Sequence, residues 1–152
     1  MLRTTVVFRT TAFNTTTQKP YFLNPGCFGD DVSRWMIAAL RQRGVKTAEE
    51  PGQEDFGWYV LFEVDGQEHC FVLGYRPGDT EHEGDCIGTL ERSRGLVGSL
   101  LGRRQIGVNP KAVQLVHELV SGLPDVSDIC WHHEKKFKAG IEDEGATTPG
   151  AG

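Results

Sequence analysis

Residues 58–64, the dipeptide Asp65-Gly66 and residues 67–75 constrain the fold more than any other part of the chain. Two stretches rich in β-branched and aromatic side chains flank an Asp-Gly pair. That pair tolerates the positive φ that both central residues of a type I′ turn require, and the turn's twist matches a right-handed strand pair. A two-residue loop sets the register: Val64 opposite Gln67, Phe62 opposite His69, Val60 opposite Phe71, and Trp58 opposite Leu73. One face of the hairpin carries the large aromatics and belongs to the core. The other carries Tyr59, Leu61, Glu63, Glu68, Cys70 and Val72, and is apolar enough to need a cover or a use.

Other elements must complete the sheet and bury its core face. Residues 4–8 are rich in β-branched side chains and read as a first strand, followed by a long loop through Pro20, Pro25 and Gly26. Asp30 and Asp31 supply a cap and a favourable charge for a helix start. Val32, Trp35, Met36, Ala39 and Leu40 share one face of that helix, and Gly44 closes it. Residues 46–57 read as a polar connection, 76–85 as a charged loop and 86–91 as a strand. Leu96, Val97, Leu100 and Leu101 fit one short helix over 95–101. Asn109-Pro110 then opens a second main helix, buried through Val113, Val116, Leu119 and Val120. Residues 126–131 form the last strand, with Cys130 and His132 on one face and Ile129 and Trp131 on the other.

The order β-α-β-β-β-α-β predicts an α+β fold, a two-layer sandwich of two main helices on a mostly antiparallel sheet of four to five strands. A single domain spans residues 1–137. Residues 138–152 are Gly, Ala, Thr, Pro and acids, and read as a disordered tail.

Composition bounds the function only loosely. A chain of 152 residues, 38% hydrophobic and 24% charged, excludes collagen-like, disordered and membrane-spanning classes. The first residues lack an apolar leader segment, so a cytoplasmic location is expected. Cysteines stand at 27, 70, 86 and 130 without a CxxC pair, which signals packed, reduced thiols.

Charge is segregated along the chain. From Glu49 to Glu91 there are twelve acids and one base, Arg76; from Arg92 to His117 there are five bases and no acid. Arg92, Arg94, Arg103 and Arg104, with Gly95, Gly98 and Gly102, superficially suggest a phosphate cradle. The spacing is not that of a P-loop or a dinucleotide fingerprint, and packing explains the leucine stripe better. The net charge of −5 also opposes nucleic-acid binding.

Two readings of function follow, from different classes. The leading one is a small protein-binding module, inhibitory or adaptor-like, meeting a basic partner through Glu81, Glu83, Asp85, Tyr59 and Leu61. It expects no cofactor, no metal, no membrane and no nucleic acid. The alternative is a small metal-assisted or Cys/His-dependent hydrolase built from Cys70, Cys130 and His132. Cys130 and His132 would lie about 7 Å apart along one strand face, and a thiol beside an imidazole is the minimum for nucleophilic acyl transfer or zinc ligation.

Overall fold

The computed structural model describes residues 2–80, 83–93 and 107–151. In chain order they form β1 (Thr5–Thr10), α1 (Asp30–Gln42), β2 (Gly52–Glu54), β3 (Gly57–Val64), β4 (Gln67–Arg76), β5 (Asp85–Arg92), α2 (Pro110–Ser121), β6 (Val126–His132) and α3 (Glu134–Lys138). The six strands make one open antiparallel sheet in the order β2-β3-β4-β5-β1-β6. The fold is α+β, as expected.

The β3–β4 hairpin forms in the expected register, with Val64 opposite Gln67 and Trp58 opposite Leu73. Asp65 (φ 54°) and Gly66 (φ 72°) both take the positive φ of the type I′ turn. Val60, Phe62, Phe71 and Leu73 from the hairpin, Leu90 from β5, and Val6 and Phe8 from β1 join Trp131 in one buried cluster. Onto them pack Val32, Met36 and Leu40 of α1 and Val113, Val116 and Val120 of α2. Both main helices therefore cover the same face of the sheet, because each presents one apolar stripe at helical spacing.

Several elements depart from the sequence expectation. The sheet has six strands rather than four to five. The additional one is β2, from the stretch read as a polar connection, which pairs Gly52 with Tyr59 through Glu54 with Gly57. Beside it, Thr47 bridges Phe62, so β3 is covered along most of its outer edge. A third, five-residue helix follows β6. Helix α1 is not capped by an aspartate side chain: Gly29 holds the cap position, at φ 121°. Asp31 instead accepts the Asn14 N–H at 2.8 Å, and buried Asp30 takes the Tyr21 hydroxyl and Arg34, so both acids staple the long loop to the helix. The short helix expected over 95–101 lies outside the described residues.

The C-terminal segment differs most. Residues 139–151 pack as a strap, where a disordered tail was expected. Glu142 receives two hydrogen bonds from Arg76, each 3.1 Å. Ala146 exchanges both backbone hydrogen bonds with Trp131 (2.6 and 2.8 Å), and the Pro149 carbonyl accepts the Arg3 N–H. Small residues leave such a segment no apolar core to join, but they let its backbone lie close to an open strand edge, which otherwise exposes unpaired groups.

Candidate functional site

Strand alternation places Tyr59 and Leu61 of β3, Cys70 and Val72 of β4, Ile87 and Thr89 of β5, Thr5 and Val7 of β1, and Cys130 and His132 of β6 on the face away from the main helices. The strap takes up the β6 side of this second face. Gly145 sits so close to Cys130 and His132 that an added Cβ would lie 2.3 Å from the thiol sulfur and 2.7 Å from the imidazole Cε1. Phe137 of α3 packs on His132, with ring centroids 5.1 Å apart. On the β3–β4 side, Tyr59, Leu61, Cys70 and Val72 remain half-buried.

Cys130 and His132 do share a face, as their spacing implies, but Cys70 is not beside them. Cys130 aligns through Val7 and Ile87 with Gly74, which lies four residues along β4 from Cys70 and three strands away. At ~3.3 Å per residue and ~4.8 Å per strand, the thiols are on the order of 20 Å apart. Burial, helped by the negative charge of Glu91 and Glu68, pushes the Cys70 thiol up to about 12. A thiol held protonated is a poor nucleophile. Burial also lowers the pKa of His132, which works against an imidazolium beside Cys130. Among the described residues no group of three or more His, Cys, Asp or Glu side chains is placed to hold a metal ion.

The acidic set is dispersed too. Asp85 is engaged internally by Arg9 at 3.0 Å and Arg76 at 2.8 Å. Burial alone would raise the Asp85 carboxyl, but the hydrogen bonds from Arg76 and Arg9 outweigh it and hold it below its ordinary value. Glu83 is exposed in the β4–β5 loop, at the end of the sheet remote from Leu61. Glu81 lies outside the described residues, as do Arg94, Arg103 and Arg104. Arg92 ends β5 opposite His69, and its Nη1 is buried without a hydrogen-bond partner among the described residues.

Other carboxylates accompany Tyr59 and Leu61 on the second face. Glu63 stands directly opposite Glu68 across the hairpin, and Glu91 opposite Cys70. Leu61, Glu63 and Glu68, with Lys46 and Thr47, line a pocket of about 220 Å³. Like charges face to face are unfavourable, and the fold answers locally: Lys46 reaches Glu63 at 3.3 Å and the Ser93 hydroxyl donates to Glu68 at 2.6 Å. The opposed glutamates were legible in the sequence; the pocket beside them depends on residues 46–48 docking against β3, for which the sequence carried no signal.

Comparison with protein-family models, with curated proteins and with solved structures finds no match to this chain.

Proposed function

We propose that this chain is a protein-binding module that meets a basic partner through the β3–β4 half of its second sheet face. The pocket of Leu61, Glu63 and Glu68 carries the reading. It pairs an apolar wall with two carboxylates, which suits a lysine or arginine whose aliphatic stem lies on Leu61 and whose cation meets the acids. Lys46, with a side chain 83% exposed, already makes one such contact from within the chain. Tyr59 and Val72 extend the apolar surface, and Glu91 adds negative charge at its margin. Such a field favours encounter with a basic protein and opposes a phosphate backbone. A module of this kind acts by occupying its partner, as an inhibitor or adaptor does.

All four cysteines are free, which suits a reducing compartment such as the cytoplasm. No helix among the described residues is long and apolar enough to cross a membrane.

The reading is tested by affinity capture on the immobilised protein, with nuclease treatment and at two salt concentrations. A discrete basic protein should be retained by the wild type and released by Glu63→Lys/Glu68→Lys. Nuclease-sensitive nucleic acid as the retained species would overturn it.

A further inference from the structure

Four large hydrophobic side chains are exposed among the described residues, and three of them gather at one place. Tyr21 is 46% exposed, Leu23 59% and Phe56 58%. Gln53 of β2 holds the first two: its Nε2 donates to the Tyr21 carbonyl at 2.9 Å, and its Oε1 accepts the Leu23 N–H at 2.8 Å. Asn24 donates to the carbonyl of Asp55, the residue preceding Phe56, at 2.9 Å.

A small cluster of packed aromatic rings underlies Tyr21. Tyr21 meets Trp58 edge-on at 6.2 Å, Phe22 bridges Trp58 and Phe28, and Phe28 meets Tyr75. The Tyr21 hydroxyl donates to buried Asp30, which also holds Arg34 at 3.0 Å. Tyr21, held at both its ring and its hydroxyl, has already lost side-chain freedom that binding would otherwise remove.

The rim of the patch selects its occupant. Glu54 and Asp55 immediately precede Phe56, exposed and without an ion pair among the described residues, and Glu50 is bound to Arg34, whose guanidinium stands over the Tyr21 ring. A second copy docking patch to patch would set these acids against their own equivalents, and an anionic lipid surface would be repelled in the same way. We infer that Tyr21, Leu23 and Phe56 form a second docking surface, and that it takes a basic segment of a partner protein carrying an apolar or aromatic anchor flanked by lysine or arginine. The inference rests on the protein-binding reading above and adds a contact outside the second sheet face.

The test is an amide-resolved NMR titration with two synthetic heptapeptides, Lys-Leu-Lys-Phe-Lys-Leu-Lys and its counterpart with Glu in place of every Lys. The basic peptide should give saturable shifts at Leu23, Gln53, Glu54 and Phe56, reduced at least several-fold by added salt. Leu23→Asp/Phe56→Asp and, independently, Glu54→Lys/Asp55→Lys should each abolish them while spectral dispersion shows an intact fold; Leu61→Asp should leave them unchanged. Equal shifts with the acidic peptide would overturn the inference. So would shifts confined to Leu61 and Val72, an outcome that leaves the sheet-face reading standing. Concentration-dependent shifts at the patch without peptide would make a second copy the occupant and overturn it as well.

Discussion

Asn109 donates its backbone N–H to Nε2 of the buried His69 across 3.2 Å, so a histidine on β4 fixes the cap of α2. His69 Nδ1 faces the Gln67 carbonyl at 3.0 Å. Nδ1 therefore carries the proton and Nε2 accepts, which defines a neutral imidazole. The Asn109 side chain completes the network: its Oδ1 accepts the Lys111 N–H at 2.9 Å, and its Nδ2 donates to Asp65 and Gln67, each at 3.1 Å. Hairpin turn and helix start are thus one hydrogen-bonded unit.

Stability should fall as pH drops below about 6.5. Burial first, and then the nearby Arg92 charge, lower the His69 pKa. The unfolded chain then binds a proton in a range where the folded chain resists it. His69 stabilises the neutral-pH fold fully above its unfolded pKa, and this is lost as pH falls toward the folded one. Urea midpoints measured from pH 7.5 to 5 should decline, and less steeply in His69→Gln, which retains an acceptor but cannot titrate. His132, also lowered by burial, adds to the same slope. Identical slopes for wild type and His69→Gln would contradict the assignment.

Replacing the cap should cost more than an ordinary surface change. Asn109→Ala removes the acceptor for the Lys111 N–H and both donors to the hairpin. About 1–2 kcal/mol of destabilisation is expected by chemical denaturation. Asn109→Ser, which keeps a cap acceptor, should recover part of it.

Two glycines test backbone conformation against packing. Gly66 has open space around it but φ 72°, so Gly66→Val should destabilise through strain alone, by about 1 kcal/mol or more. Gly88 on β5 lies under the Phe71 ring, where a Cβ would sit 2.1 Å from Cζ. Gly88→Ala should cost about 1–3 kcal/mol by overpacking. Restoring space with Phe71→Leu should reduce the penalty, so the double variant should be less destabilised than the two single effects add to.

The strap should matter to stability and to access. Deleting residues 140–152 removes the Trp131–Ala146 pairing, the Arg3–Pro149 bond and the Arg76–Glu142 contact. A loss of about 2 kcal/mol is expected, enough to lower the Tm by several degrees. Cys130, which lies against Gly145, should react faster with a thiol reagent in the truncated protein. An unchanged Tm and reaction rate would show that the strap does not hold.

The hairpin and both main helices were legible because each is written locally: Asp65-Gly66 specifies a turn, and apolar spacing in 32–40 and 113–120 specifies a face. The strap was illegible for the opposite reason. Ala146 and Pro149 engage through backbone groups, which any residue offers and no side-chain pattern announces. The three residues of β2 are too few to show a period, and their pairing depends on β3 already being in place. Cys70, Cys130 and His132 illustrate the same limit at the site. Strand alternation placed Cys130 and His132 on one face, but where Cys70 lies relative to them depends on strand order, and β5 and β1 intervene between β4 and β6.

The most direct test of the binding account is a photo-crosslinking amino acid placed at Leu61, compared with the same probe at Arg41 on α1. The account predicts one discrete adduct with a basic protein from the position 61 probe, lost when Glu63→Lys/Glu68→Lys is added, and none from position 41. The same adduct from both positions, or an adduct at 61 indifferent to charge reversal, would contradict recognition of a basic partner through this face.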